Sequence, residues 1–183
     1  MSTVFDDLLE VAQDQMGYFS IDQLDVERQY IHNYVQAGRL EPIMRGIYRM
    51  AHFPPEEHED LMVAYLWSER EGAATHETAL SLYGLSDILP RKTHITVPRS
   101  WKKRRRNVPR RFELHYADLE SSDLQWHGPI PVTTLERTFT DLVEEGFDPA
   151  LFDQALQQAM DRGLVSADFP RTLLKLLTLR RRS

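Results

Sequence analysis

Arg28, Gln29, His32, Asn33 and Gln36 recur at the spacing that puts side chains on one face of a helix. Arginine can pair with guanine, and glutamine or asparagine with adenine, each through two parallel hydrogen bonds. A face of this composition suits the reading of base edges in a nucleic-acid groove. A solvated helix face carries the same residue types, so the face alone leaves both readings open. Arg39, Arg45 and Arg49 follow closely. On a hairpin they would meet phosphates or the minor groove, although exposed arginines there are also a common solubility device.

A second chemistry lies in residues 99–111 (RSWKKRRRNVPRR), where eight of thirteen side chains are Lys or Arg. Lys102, Lys103, Arg104, Arg105 and Arg106 form its centre, and Trp101 and Val108 are its apolar residues. A run this dense is read as a phosphate-contacting loop in preference to a solvated charge loop. A further basic group is the Arg180-Arg181-Arg182 tail.

Catalytic and metal chemistry find less. The chain has no cysteine, which removes disulfides, thiolate metal sites and cysteine nucleophiles together. His76-Glu77 resembles the start of a zinc-protease helix, but the second histidine would fall at Leu80. His58-Glu59-Asp60 falls at a helix start, where such residues are more often plain surface. No catalytic residue, metal ligand or cofactor is expected.

The elements that must position the reading face lie in residues 20–50, SIDQLDVERQYIHNYVQAGRLEPIMRGIYRM. Ser20 with Gln23 is a capping-box pattern opening a brief helix. Asp25 can cap a second helix over 26–37, with Val26, Ile31, Tyr34 and Val35 on its inner face. Gly38 ends it. Residues 40–44 and 46–49 form a hairpin whose tight turn uses Gly46. Together these outline a winged helix-turn-helix. Upstream, residues 3–15 pattern as a helix stopped at Met16-Gly17, and Tyr18-Phe19 suits a single short strand.

Pro54-Pro55 reads as a boundary, because two prolines cannot extend a strand ladder. The expected organisation is α+β: a winged helix-turn-helix domain over 1–53, then a mixed α/β domain over 56–183 ending in helices. Beyond the boundary the pattern predicts an amphipathic helix over 59–71 burying Leu61, Met62, Tyr65 and Leu66, and an apolar stretch and helix over 73–85. Strands follow at 93–97, 112–116 and 130–134, with helices over 135–145, 149–161 and 169–179.

Net charge is −6, yet its distribution is uneven. Residues 1–60 hold 12 acidic and 4 basic side chains, whereas residues 61–183 hold 16 acidic and 18 basic ones. Phosphate attraction follows local charge, so the acidic total does not exclude a nucleic-acid partner. The 42% hydrophobic share allows a real core, no long apolar run suggests a membrane span, and the acidic start is unlike a secretory leader. A cytoplasmic location is expected.

Several phrases, in order, resemble the AbiEi-type antitoxins of bacterial abortive-infection (type IV) toxin–antitoxin systems. They are Gly17-Tyr18-Phe19-Ser20, Val35-Gln36-Ala37-Gly38-Arg39-Leu40 and Arg45-Gly46-Ile47-Tyr48-Arg49. Then come Thr75-His76-Glu77-Thr78-Ala79-Leu80, Gly84-Leu85-Ser86-Asp87, His94-Ile95-Thr96-Val97-Pro98 and Pro131-Val132-Thr133-Thr134 with Arg137-Thr138 and Asp141-Leu142. The resemblance implies a phage-defence regulator that is not an enzyme. Its winged helix would bind inverted or direct operator repeats and repress its own operon. Its second domain would counteract a cognate nucleotidyltransferase toxin, directly or indirectly. By position, Arg28, Gln29, His32, Asn33, Gln36, Arg39, Arg45 and Arg49 would face DNA. Two other readings stay open: a winged helix used for protein contact, favoured by the acidic first segment, and a stand-alone regulator without a toxin. A metal-dependent nuclease is disfavoured, because no closely spaced carboxylate–lysine strand pattern follows Thr133-Thr134.

Overall fold

The computed structural model describes residues 3–85 and 87–180; Ser86, and Arg181 and Arg182 of the basic tail, fall outside them. The described chain is mixed α+β, with two sheets and seven α-helices. It divides into two compact units. One comprises Met1–Glu71 with Gly128–Ile130, the other Gly72–His127 with Pro131–Ser183.

In the first unit, α1 (Val4–Gln13) opens with a reciprocal cap: Asp6 accepts from the Thr3 backbone N–H at 2.8 Å, and Thr3 Oγ1 accepts from Asp6 N–H at 3.3 Å. Leu8 and Ala12 are its fully buried positions, one helical turn apart. The chain reverses through Met16 and Gly17, with φ of 57° and 89°. It enters β1 (Tyr18–Ser20), where Tyr18 and Phe19 are wholly buried. The Ser20–Gln23 cap forms, Gln23 Oε1 accepting from Ser20 N–H at 2.8 Å, but the helix it opens is one 3₁₀ turn, Ile21–Gln23.

The second helix, α2 (Arg28–Gln36), starts later than the sequence predicts. Asp25 is not its cap. The backbone is extended at Leu24 (φ −135°, ψ 141°) and still at Glu27 (φ −62°, ψ 134°), so Glu27 takes the cap position without a side-chain bond. Two strands follow, β2 (Leu40–Met44) and β3 (Ile47–Met50). They meet at Arg45-Gly46, where Gly46 has φ of 82°. β3 is central in an antiparallel sheet of order β1-β3-β2. Pro42 is tolerated because β2 is an edge strand, and the register shifts between Pro42 and Met44. Leu8, Ala12, Phe19, Ile31, Leu40 and Met50 form the core beneath.

The helix α3 (Glu59–Trp67) belongs to this unit and packs against β1 and β3, so the unit runs past Pro54-Pro55 to Glu71. It is not amphipathic as expected. Leu61, Met62, Val63, Ala64 and Leu66 are all buried, whereas Tyr65 is only partly so. A helix apolar on most faces is a buried one. Tyr18 Oη, inside the unit, donates to Glu59 Oε2 at 2.6 Å.

The second unit is built on a five-stranded sheet. Its strands are β4 (Ala73–Ala74), β5 (Thr93–Val97), β6 (Phe112–Tyr116), β7 (Leu124–His127) and β8 (Ile130–Thr133), in the order β6-β5-β4-β8-β7. β5 pairs parallel with β6 and antiparallel with β4, which pairs parallel with β8. β7 was not foreseen; as an edge strand with Gln125 and Trp126 exposed, it lacks the half-buried alternation that marks a strand in sequence. The helices α4 (His76–Leu82), α5 (Leu135–Glu144), α6 (Pro149–Asp161) and α7 (Phe169–Arg180) share a core around Leu80, Phe139, Leu142, Ala155, Ala159 and Phe169.

Gly17 is the most closely packed glycine of the first unit. A Cβ built there would lie 2.4 Å from Phe53 Cγ, at a φ that side chains rarely adopt. Gly17→Ala combines overpacking with left-handed strain, and is expected to destabilise the protein by about 2 kcal/mol or more. Chemical denaturation of the two proteins side by side measures the loss.

Candidate functional site

Two separate constellations stand out, one in each unit. In the first, α2 has two distinct faces. Ile31 is buried and Tyr34 and Val35 half-buried, while Arg28, Gln29, His32, Asn33 and Gln36 are all exposed. The helical repeat produces this division: the five polar residues occupy one contiguous arc and Ile31, Tyr34 and Val35 another. Gln29 Nε2 donates to Asn33 Oδ1 at 3.1 Å, one turn along the exposed face. A groove of about 510 Å³ runs between α2 and the β2–β3 turn, lined by Arg28, His32 and Arg45 together with Ile31, Val35 and Tyr48. Two cations and an imidazole therefore front one concave surface, which suits an anionic partner.

The three hairpin-region arginines have different fates. Arg45 is exposed at the turn. Arg39 is exposed too, but its guanidinium lies 3.4 Å from the centroid of the Phe5 ring and 5.3 Å from that of Tyr34. That stacking holds it near α1. Arg49 is a correction to the sequence expectation: it is only 7% exposed and is not a groove-facing cation. Its guanidinium is ion-paired with Glu41 and donates to the Phe53 carbonyl at 2.9 Å. On central β3 it sits opposite Glu41 across the β2–β3 ladder, and cross-strand pairing claims it.

In the second unit, the basic run is the connection between parallel strands β5 and β6 and contains a 3₁₀ turn, Arg99–Lys103. Lys102, Lys103, Arg104, Arg105 and Arg106 are all exposed. Trp101 is buried, and Arg104 and Arg106 lie over its ring at 4.3 and 4.8 Å from the centroid, with Lys102 5.6 Å from that of Tyr116. The aromatic residues thus anchor a loop whose charges face water.

Sequence reasoning missed a histidine cluster in the same unit. In the parallel β5–β6 register His94 is opposite Glu113 and Thr96 opposite His115, so the alternation of a strand puts all four on one face of the sheet. His76 at the start of α4 stacks on His115, ring centroids 3.7 Å apart, and His94 lies 5.2 Å from His115. His94 Nδ1 is 3.0 Å from His115 Nε2, and His115 Nδ1 is 2.6 Å from Glu145 Oε1. His76 Nδ1 is 3.0 Å from Thr75 Oγ1. Its Nε2 is buried without a hydrogen bond, 3.4 Å from Glu145 Oε1. Burial first, and then the positive charges of His115, His94 and Arg137, push His76 down to about 2. Burial and His115 push His94 down to about 4.

His76 also has φ of 52°, a left-handed conformation uncommon outside glycine. The cluster borders a cavity of about 500 Å³ that also touches Thr96, Arg99, Tyr116, Arg137 and Asp141. Arg137, one-tenth exposed, is committed there: its Nε donates to both Asp141 oxygens at 2.8 and 2.9 Å, and Nη1 reaches Asp123 at 3.0 Å. The signal available in sequence was only the alternation His94-x-Thr96 and Glu113-x-His115; nothing local joins them to His76 or Glu145.

Among the described residues no helix is long and apolar enough to cross a membrane. No curated protein matches the chain. It is similar in fold to the crystal structure of the RV2827C protein from Mycobacterium tuberculosis, with 13% identity and a TM-score of 0.54 over 92% of this chain and 70% of that one. Residues 6–51, which hold most of α1 together with β1, α2 and the β2–β3 hairpin, match the family described as transcriptional regulator, AbiEi antitoxin.

Proposed function

We propose that the protein is a DNA-binding transcriptional regulator whose first unit works as a winged helix-turn-helix. The 3₁₀ turn Ile21–Gln23 and α2 form the helix pair, and β2–β3 is the wing. The observation that carries this reading is the exposed arc of α2, with Arg28, Gln29, His32, Asn33 and Gln36 beside the groove that Arg45 fronts. Those side chains match the donors and acceptors of base edges, and an uncapped helix start beside Arg28 leaves backbone N–H groups for phosphate. The match of residues 6–51 to an antitoxin and regulator family supports the same conclusion.

In finer detail, the protein binds inverted or direct repeats upstream of its own operon and represses it. It counteracts a cognate nucleotidyltransferase toxin, directly or indirectly, as a regulatory and not an enzymatic partner in phage defence in the cytoplasm. Specificity resides in α2, on an acidic segment that holds 12 acidic and 4 basic residues over positions 1–60. Phosphate affinity comes mainly from Lys102, Lys103, Arg104, Arg105 and Arg106, which are exposed on the β5–β6 connection. The same acidity favours a second reading, in which the first unit binds a protein.

A gel shift against the upstream region of the operon separates the two. The parent protein is expected to shift that DNA at low salt; no shift would sink the repressor and leave protein contact. The double substitution Arg28→Ala with Asn33→Ala should cost about 1–3 kcal/mol of discrimination for each lost bidentate contact, while salt-sensitive binding to any sequence persists.

Replacing Lys102, Lys103, Arg104, Arg105 and Arg106 together by Gln should weaken binding to all sequences alike. The slope of log K against log salt should fall by about 0.9 for each phosphate contact removed. Unchanged affinity in a salt titration would assign the loop to another partner.

A further inference from the structure

We propose that His76, His115 and Glu145 form a binding site for a divalent transition-metal ion of the zinc class, with an open coordination position facing the neighbouring cavity. This goes beyond the DNA-binding reading and does not rest on it.

Three observations converge. Among the described residues, His76, His115 and Glu145 each offer one ligand atom, and these atoms all lie within 4.8 Å of one another. Two imidazole nitrogens and one carboxylate are the donor set of a three-residue zinc site that leaves the fourth position free. Ligand atoms around a tetrahedral ion with bonds of about 2.0–2.1 Å lie roughly 3.3 Å apart. The His76 Nε2 to Glu145 Oε1 distance is 3.4 Å. His115 Nδ1 is closer to that oxygen, at 2.6 Å, so admitting the ion requires the carboxylate to withdraw by less than an ångström and the stacked His76 and His115 rings, 15° from parallel, to splay until their in-plane lone pairs meet. The Glu145 side chain is 52% exposed and has room to do so.

The second observation is the state of His76 Nε2. It is buried on a side chain only 6% exposed, makes no hydrogen bond, and points toward Glu145. Thr96 Oγ1, which lines the same cavity, is likewise buried and unbonded. A buried polar atom left unbonded is destabilising, and a metal ion at His76 Nε2 would satisfy it.

The third is the support behind each histidine. His76 Nδ1 has Thr75 Oγ1 at 3.0 Å, and His115 Nε2 has His94 Nδ1 at 3.0 Å. In the metal-bound form Nδ1–H of His76 donates to Thr75, and the His115 proton, which here lies on Nδ1 and donates to Glu145 at 2.6 Å, moves to Nε2 and donates to His94, freeing both ligand nitrogens. His94 is backed in turn by Glu77, 3.8 Å from its Nε2. Metal-binding histidines characteristically donate their other N–H in this way, which fixes ring and tautomer. The left-handed backbone at His76 (φ 52°) places its ring beside His115. Arg99 and Tyr116 border the cavity beyond, where a water or an anionic ligand would complete the coordination.

The test uses the full chain, stripped with chelator and titrated with zinc chloride by calorimetry, with Co(II) as a spectroscopic probe. The expected result is one zinc per chain, a raised melting temperature, and the visible d–d absorption of four-coordinate Co(II). Glu145→Gln, on an exposed side chain that does not endanger folding, and His115→Gln should each lower affinity by more than about 100-fold. His94→Gln, which removes only a partner of a ligand, should lower it by about 10- to 100-fold with stoichiometry retained. His58→Ala, remote in sequence and outside the cluster, should bind like the parent. No stoichiometric uptake of either metal, or uptake unaffected by Glu145→Gln in a protein with parental circular dichroism, would overturn the site.

Discussion

Parallel pairing of β5 with β6 is the constraint on which the second unit's chemistry depends. Its register sets His94 and Thr96 across from Glu113 and His115, and the two-residue repeat turns all four side chains to one face. A slip of β6 by one residue would turn Glu113 and His115 away and bring Leu114 to that face. Parallel strands cannot be joined by a tight turn; they need a long crossover. The basic run is that crossover, and this explains how so many cations fit in one short segment without entering the core. Lys102, Arg104 and Arg106 lie over the rings of Tyr116 and Trp101, which orders the loop while leaving its charges in water.

The same unit shows how polar groups are accommodated at a sheet–helix boundary. Arg137 and Asp141 pair in adjacent turns of α5, and Asp123 completes the guanidinium's partners, so a cation and two carboxylates are satisfied together. The His76 edge of the cavity is less complete, with Nε2 and Thr96 Oγ1 buried and unbonded. Native structures keep few such atoms, and each calls for an explanation, a bound ligand being one. The left-handed backbone at His76 belongs to the same pattern, since local strain persists where surrounding structure over-determines a functional position.

In the first unit, the division of labour among arginines follows from strand geometry. Arg45 is at the tip of the hairpin and remains exposed, whereas Arg49, four residues on, lies within the central strand and is consumed by Glu41 and the Phe53 carbonyl. Gly17 and Phe53 pack so closely that the chain's entry into β1 and its exit beyond β3 are held together. Ile31 of α2 and Leu40 of β2 share the core beneath, which ties the helix to the hairpin as a reading surface requires.

Much of this was legible in the sequence because its causes are local. The inner and outer faces of α2, the turn at Gly46, the Ser20–Gln23 cap, strands 93–97 and 112–116 and the closing helices follow from apolar periodicity, capping and turn chemistry. Local pattern misled where tertiary packing took over. Asp25 looks like a cap, but the backbone stays extended through Glu27; α3 looks amphipathic, but β1, β3 and the surrounding core bury most of its faces. Arg49 looked like a wing cation for the same reason, since no local pattern reveals the cross-strand partner that buries it. His76, His94, His115 and Glu145 are far apart in the chain, and each alone reads as an ordinary polar residue. Only the crossover that makes β5 and β6 parallel, with α4 and the end of α5 beside them, brings their nitrogens and carboxylate within bonding range. Periodicity is a property of neighbouring residues, whereas a ligand set is a property of distances that only the folded chain possesses.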